Sequence, residues 1–336
     1  MSQISPQKPP IAPQTKSKSS LLQQHAPWLY AFWKFSRPHT IVGTTLSGLG
    51  LYFMVLSGVG VLSSAEGLNS GAVQGWESIV GTLLPALLAC LCGNVYIVGL
   101  NQLEDVAIDQ VNKPHLPLAS GEFSRREAQL IVAIMGSAAI AIALTQGQFL
   151  LATIGISLAI GTAYSLPPIR LKRFPMWASF CIFTVRGVVV NLGLFLHFNS
   201  RLQQSTYVPE IVWALTTFIL VFTLVIALFK DIPDMEGDRR YHITTFTIRL
   251  GQEAVFNGCR WILTSCYVGI MLVAVWMPHV NAAFLSGTHG IILALFWWQS
   301  WRVNLSEKAQ IARFYQFIWK LFFLEYVLFP VACWLG

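Results

Sequence analysis

Residues 79–114 read IVGTLLPALLACLCGNVYIVGLNQLEDVAIDQVNKP. The first 22 positions, 79–100, carry no charged side chain. A helix crosses ~30 Å of hydrocarbon with about 20 apolar residues, so this run reads as a membrane span. It then meets Asn101, Glu104, Asp105 and Asp109 with no spacer. Uncompensated negative charge at a membrane surface is costly, so these acids require something positive. Asn101, Asp105 and Asp109 are spaced i, i+4, i+8, which puts them in one stripe on a helix. Asn112 returns to the same arc, and Pro114 ends the helix because the residue before a proline is biased away from the α region. The spacing predicts a helix that carries the stripe just past the apolar part of the span.

The rest of the chain has the same character. Of 336 residues, 54% are hydrophobic and 11% charged, against about a quarter charged in soluble domains. Nine apolar windows are long enough to span a bilayer, at about 41–60, 79–100, 129–146, 148–166, 177–198, 209–229, 254–277, 282–301 and 314–335. They are continuously apolar, without the alternation of a transmembrane β-barrel. The expected fold class is therefore an all-α integral membrane protein of nine transmembrane helices. Residues 1–27 are rich in Gln, Ser, Pro and Lys with no apolar core, unlike a secretory signal. They are expected to form a disordered cytosolic tail before a single domain at 28–336. WLYAFWKFS (28–36) is aromatic and basic, suited to the membrane interface.

Charge sorts by side. Eighteen of the 22 Lys and Arg fall in the N-terminus and the loops after spans 2, 4, 6 and 8. Only Arg201 falls on the other side, and Arg186, Arg260 and Lys320 fall inside spans. The positive-inside rule places the N-terminus and these loops in the cytoplasm. Ten of the fifteen acids lie in the loops after spans 2 and 6, which that rule does not ask for. The second acidic segment is KDIPDMEGDRR (230–240), where Asp231, Asp234 and Asp238 are spaced i, i+3, i+7. They share one face if helical, although Pro233 and Gly237 make a bent or unwound segment equally consistent. Oxygen-only ligands suit Mg²⁺, which keeps sites for water and phosphate oxygens. Two facing Asp stripes would hold Mg²⁺ around a diphosphate, with Lys113, Arg170, Lys172 and Lys230 neutralising it. The alternative is a pair of solvated loops balanced by their own Arg and Lys.

At these residues the sequence resembles the UbiA superfamily of intramembrane aromatic prenyltransferases. NQLEDVAIDQVNKP and KDIPDMEGDRRYHITTFTIRLG resemble its paired Asp motifs. FSRPHTIVGTTLSG (35–48), LPLASGEFS (116–124), GTAYSLPPIRLKRF (161–174), VRGVVVNLGLFLHF (185–198) and FYQFIWKLFFLEY (314–326) are similar to its homogentisate phytyltransferase branch, especially cyanobacterial members. The departure is Glu104, where relatives carry an aromatic.

The resemblance implies nine helices around a central cavity capped by the acidic motifs. It implies Mg²⁺ as cofactor, phytyl diphosphate as donor and homogentisate as decarboxylating acceptor, giving the tocopherol precursor 2-methyl-6-phytylhydroquinone. It implies metal or diphosphate roles for Asn101, Asp105, Asp109, Asp231, Asp234 and Asp238, with Asp105, Asp109, Asp234 and Asp238 catalytic. Lys113, Arg170 and Lys172 match its basic diphosphate contacts. It also implies a cyanobacterial plasma or thylakoid membrane. The rivals within the superfamily are a solanesyl-transferring homogentisate enzyme, a chlorophyll synthase and a 4-hydroxybenzoate polyprenyltransferase.

Other residues carry weaker signals. Arg186 lies mid-span, where a charge needs a partner or a cavity; it would hold an acceptor carboxylate, or make a structural ion pair or bonds to carbonyls. Tyr164 suits substrate contact or interface anchoring equally. Arg37 and His39 open span 1 and read first as positive-inside anchors, with acceptor binding as the second reading. Lys320 and Glu325 would pair or snorkel within the last span. The six cysteines all fall in spans and read as packing. A cation transporter would place its acids near the midplane, whereas here Glu325 is the main mid-span acid.

Overall fold

The structure is a computed structural model and describes residues 25–60, 75–240 and 245–336. The described chain is helical, without strands. An interfacial helix α1 (Pro27–Phe35) leads into α2 (Pro38–Leu56). Then come α3 (Trp76–Glu104), a short α4 (Val106–Asn112), α5 (Arg125–Gln146), α6 (Gln148–Ser165) and α7 (Pro175–Leu202). The chain continues through α8 (Glu210–Phe229), α9 (Asp231–Arg240), α10 (Gln252–Trp276), α11 (Ala282–Ser300) and α12 (Lys308–Trp334). Of the expected tail, residues 1–24 lie outside the described residues, and α1 already begins at Pro27.

Among the described residues, eight helices are long and apolar enough to cross a membrane, not nine. They match eight of the nine expected windows. The window at 282–301 is helix α11, whose Ser, Gly, Thr, His and Gln residues dilute its apolar character. It still runs the height of the bundle. At its start the Asn281 amide donates to the Ala332 carbonyl, near the end of α12. Beyond its far end, Leu305 O accepts from Gln252 at the start of α10.

Helices α2 and α12 approach closely because Gly50 presents no side chain. A Cβ there would stand 2.6 Å from the Tyr326 carbonyl oxygen. Small residues at such crossings let transmembrane backbones meet. The core is aromatic: Phe195, Phe198, Phe222, Phe229, Phe296, Phe322 and Phe329 are fully buried.

One expectation about local structure changes, and one open alternative is decided. The stripe after α3 is not one continuous helix: Asp105 leaves helical geometry (φ −114°, ψ 18°) and separates α3 from α4. The i+4 hydrogen bonds nevertheless run through the break, from the Asp105 amide to Asn101 O and from the Asp109 amide to Asp105 O. The second acidic segment is helical over Asp231–Arg240. Pro233 falls in its first turn, where a missing N–H costs nothing.

Candidate active site

Helices α4 and α9, about 120 residues apart in sequence, pack against each other and bring the two acidic segments together. Lys113 Nζ bridges them, 2.5 Å from Asp234 Oδ2. Asp105 receives Arg170 Nη2 at 3.3 Å and Lys172 Nζ at 2.8 Å. Asp231 faces Lys230 Nζ at 3.4 Å. Asn101 donates to Asp105 Oδ2 (3.2 Å) and its Oδ1 accepts from Arg37 Nη2 (3.3 Å). The positive partners that the acids required are therefore present in the chain itself.

Asp109 is different. It is buried, at 5% exposure, and its Oδ2 has no hydrogen-bond partner among the described residues. Burial pushes its carboxyl above the usual range, against the pull of Arg37 and Lys113. Lys172 is pushed down by burial, with the Asp105 carboxylate holding it up. Among the described residues no three His, Cys, Asp or Glu side chains already form a metal cage. The side chain of Asp238 lies outside the described residues. Glu104 borders the site: its Oε1 is 4.0 Å from Arg125 Nη2, while its carbonyl accepts from Arg170.

Beneath this mouth lies a cavity of about 270 Å³. Asn101, Lys230, Tyr164 and Arg37 line its upper part, and Ser47, Cys90, Thr153 and Tyr326 are among its other walls. Arg186 lines it as well, from a π-helical turn at Thr184–Val189. Such turns widen a helix and recur at functional sites. Its guanidinium lies over Trp319 (5.2 Å) and Phe322 (5.6 Å), and among the described residues no carboxylate pairs with it. The structural ion pair weighed for Arg186 is absent there.

The first reading of Arg37, as an anchor, is corrected. The residue is not a surface anchor but a wall of the cavity, bonded to Asn101. Its backbone is left-handed (φ 53°), as is that of Arg170 (φ 41°). Non-glycine residues seldom adopt this region, and such positions cluster at functional sites. The only local signal was the Pro38 that follows, which pushes Arg37 out of the α region. Glu325 is also corrected. It pairs with His289 (3.0 Å) and accepts from Tyr267 Oη (3.0 Å), whereas Lys320 is exposed. Glu325 is fully buried and is not in the cavity wall, which leaves no carboxylate ladder for ion passage among the described residues.

A bundle of membrane-spanning helices, closing a cavity whose mouth is built from two cation-paired acidic segments, defines an intramembrane prenyltransferase. The chain belongs to the UbiA prenyltransferase family, whose model matches residues 64–321. It is 53% identical to the homogentisate phytyltransferase of Synechocystis sp. over 91% of this chain and 96% of that one. It is 40% identical to the chloroplastic homogentisate phytyltransferase 1 of Arabidopsis thaliana, over 90% and 75%. Its fold matches a UbiA homolog from Archaeoglobus fulgidus, solved bound to GPP and Mg²⁺, with TM-score 0.59 at 16% identity over 90% of this chain and 99% of that one.

Proposed function

We infer that this protein transfers a phytyl group from phytyl diphosphate to homogentisate, with loss of CO₂, giving 2-methyl-6-phytylhydroquinone. The observation that carries the reading is the mouth of the cavity, where Asp105, Asp109, Asp231 and Asp234 meet Lys113, Arg170, Lys172 and Lys230. The names of the two relatives supply the substrates.

A divalent cation fits this mouth. The buried Asp109 Oδ2 lacks a partner among the described residues, and leaving such an oxygen unsatisfied costs about 1–3 kcal/mol or more. The donor set is all oxygen, as Mg²⁺ prefers. Asn101, Asp105, Asp109, Asp231, Asp234 and Asp238 would hold it. When bound, Mg²⁺ supplies positive charge that stabilises the departing diphosphate.

The chain's own residues do the rest. Lys113, Arg170, Lys172 and Lys230 turn from carboxylates toward phosphate oxygens when the donor arrives. Arg37 fixes Asn101 beside them. Tyr164 lines the cavity near Lys230 and contacts the donor's first carbons. The apolar walls keep water from the allylic cation. Arg186, free of any carboxylate among the described residues, holds the homogentisate carboxylate by charge-assisted hydrogen bonds. Helix α11 completes a ninth crossing, and the mouth faces the cytoplasm of a cyanobacterial cell, at its plasma or thylakoid membrane.

Protein in liposomes is expected to convert homogentisate and phytyl diphosphate to the decarboxylated phytylhydroquinone only with Mg²⁺ present. Asp105→Ala and Asp234→Ala are each expected to lower turnover by a hundredfold or more, the scale of losing one preorganised electrostatic contact. Product from a different donor or acceptor, and none from this pair, would overturn the substrate assignment. Full activity in either variant would overturn the site.

A further inference from the structure

His39 is a cavity residue to which the proposed function gives no role. It stands in the wall of α2, two residues after Arg37, and its ring meets Trp319 edge-on at 4.9 Å. Among the described residues neither ring nitrogen has a hydrogen-bond partner. A histidine that only packs usually binds a backbone carbonyl, as His289 does with Leu285 O.

Two observations place His39 beside Arg186. Both side chains lie on the ring of Trp319. Gly43, four residues on from His39 and so on the same face of α2, marks where the guanidinium passes: a Cβ there would be 2.9 Å from Arg186 Nη1. On the other side of His39, Arg37 reaches up to Asn101 at the mouth. The imidazole therefore stands between the diphosphate end and the guanidinium. An arylacetate held by its carboxylate on Arg186 would present its ring and methylene carbon to it.

We propose that His39 is a catalytic residue that carries one proton from the ring carbon of the acceptor to its methylene carbon. This rests on the function proposed above. The donor C–O bond breaks and its electron pair leaves with diphosphate. A ring carbon ortho to the phenol forms the new C–C bond, and its proton passes to a free imidazole nitrogen. The bond between methylene and carboxylate then breaks, CO₂ departs, and the electron pair left on the methylene carbon takes the proton back from the imidazolium. The proton released in one half of the reaction is the proton needed in the other. Prenyl diphosphate and homogentisate give prenylated methylhydroquinone, CO₂ and diphosphate with no net proton exchanged. A neutral imidazole can accept and return a proton at one nitrogen, and the apolar walls and bound substrates would shield that proton from solvent.

The test uses homogentisate deuterated on its ring, with the reconstituted full-length protein and short incubations in ordinary water. In the wild type, deuterium is expected in the product methyl group. In His39→Asn, turnover is expected to fall a hundredfold or more, the range of a lost general acid–base group, and the residual product methyl is expected to carry no deuterium. Binding of Mn²⁺ with inorganic diphosphate, read by electron paramagnetic resonance, is expected to be unchanged in His39→Asn, which shows that the variant is folded. His39→Gln, should His39→Asn fail that binding check, gives the same reading. Wild-type product whose methyl hydrogen comes wholly from water overturns the proposal, as does a variant within threefold of wild-type turnover. If the wild type makes no product from homogentisate, the function proposed above fails instead.

Discussion

Asp109 shows what the site costs the protein. Its carboxyl is buried, pushed above the usual range chiefly by burial, and its Oδ2 has no hydrogen-bond partner among the described residues. A group whose folded pKa is raised destabilises the fold once pH exceeds its unfolded value. Asp109→Asn should therefore raise stability in chelator at pH 7, by about 1–2 kcal/mol on the scale of a buried unsatisfied group. The gain should shrink as pH falls below the raised folded pKa and vanish below about 3.9, where the acid is protonated in both states. The same variant should lose Mn²⁺ binding in the presence of inorganic diphosphate. Thermal unfolding in detergent across pH checks the first point. A loss of stability at pH 7 would show that the carboxylate is satisfied in the fold. The sequence showed Asp109 as one member of a stripe. It did not show that Asp105 would be paired by Arg170 and Lys172 while Asp109 Oδ2 found no partner among the described residues, because those cations arrive from a loop about 65 residues away.

At the scale of elements, three helices at one side of the bundle are joined by a buried polar cluster. Tyr267 on α10, His289 on α11 and Glu325 on α12 meet with no solvent exposure at Glu325 or His289. His289 Nδ1 donates to Leu285 O at 2.8 Å, which leaves Nε2 to face the carboxyl. Removing one member of a buried pair leaves an uncompensated group and costs about 3–5 kcal/mol, while removing both costs less. His289→Leu and Glu325→Leu should each lower the unfolding temperature markedly, and the double variant should lose less than the sum of the two. Additive losses would mean that the residues do not interact. A single sequence shows no reason to pair position 289 with position 325, so Lys320 was the nearer candidate. The polar residues that dilute α11 also weaken its hydropathy signal, which is why this helix falls outside the eight clear spans. Its apolar window was legible from length alone. Asp105 illustrates the opposite case: its i+4 spacing predicted which residues share a face, but not the break in the helix, because the hydrogen bonds that keep the register survive the break.

At the scale of the whole molecule, the sorted charges and the sorted acids describe one end of the bundle. The lysines and arginines that suggested an inward-facing side include those that hold the acids: Lys113, Arg170, Lys172 and Lys230. The bias thus arises from the site as well as from membrane topology, and orientation needs its own measurement. Helix α7 begins beside Lys172 and ends near Arg201, so Arg201 lies at the end opposite the mouth. Ser306 lies at the mouth end, next to Leu305, which is bonded to Gln252. Both residues are exposed, and the native cysteines are buried or half-buried. In protein expressed in the plasma membrane of a bacterial host, Arg201→Cys should react with a membrane-impermeant maleimide added outside intact spheroplasts, and Ser306→Cys should react only after permeabilisation. The reverse pattern would put the diphosphate mouth outside, away from a cytoplasmic supply of prenyl diphosphate, and would require a different source for the donor.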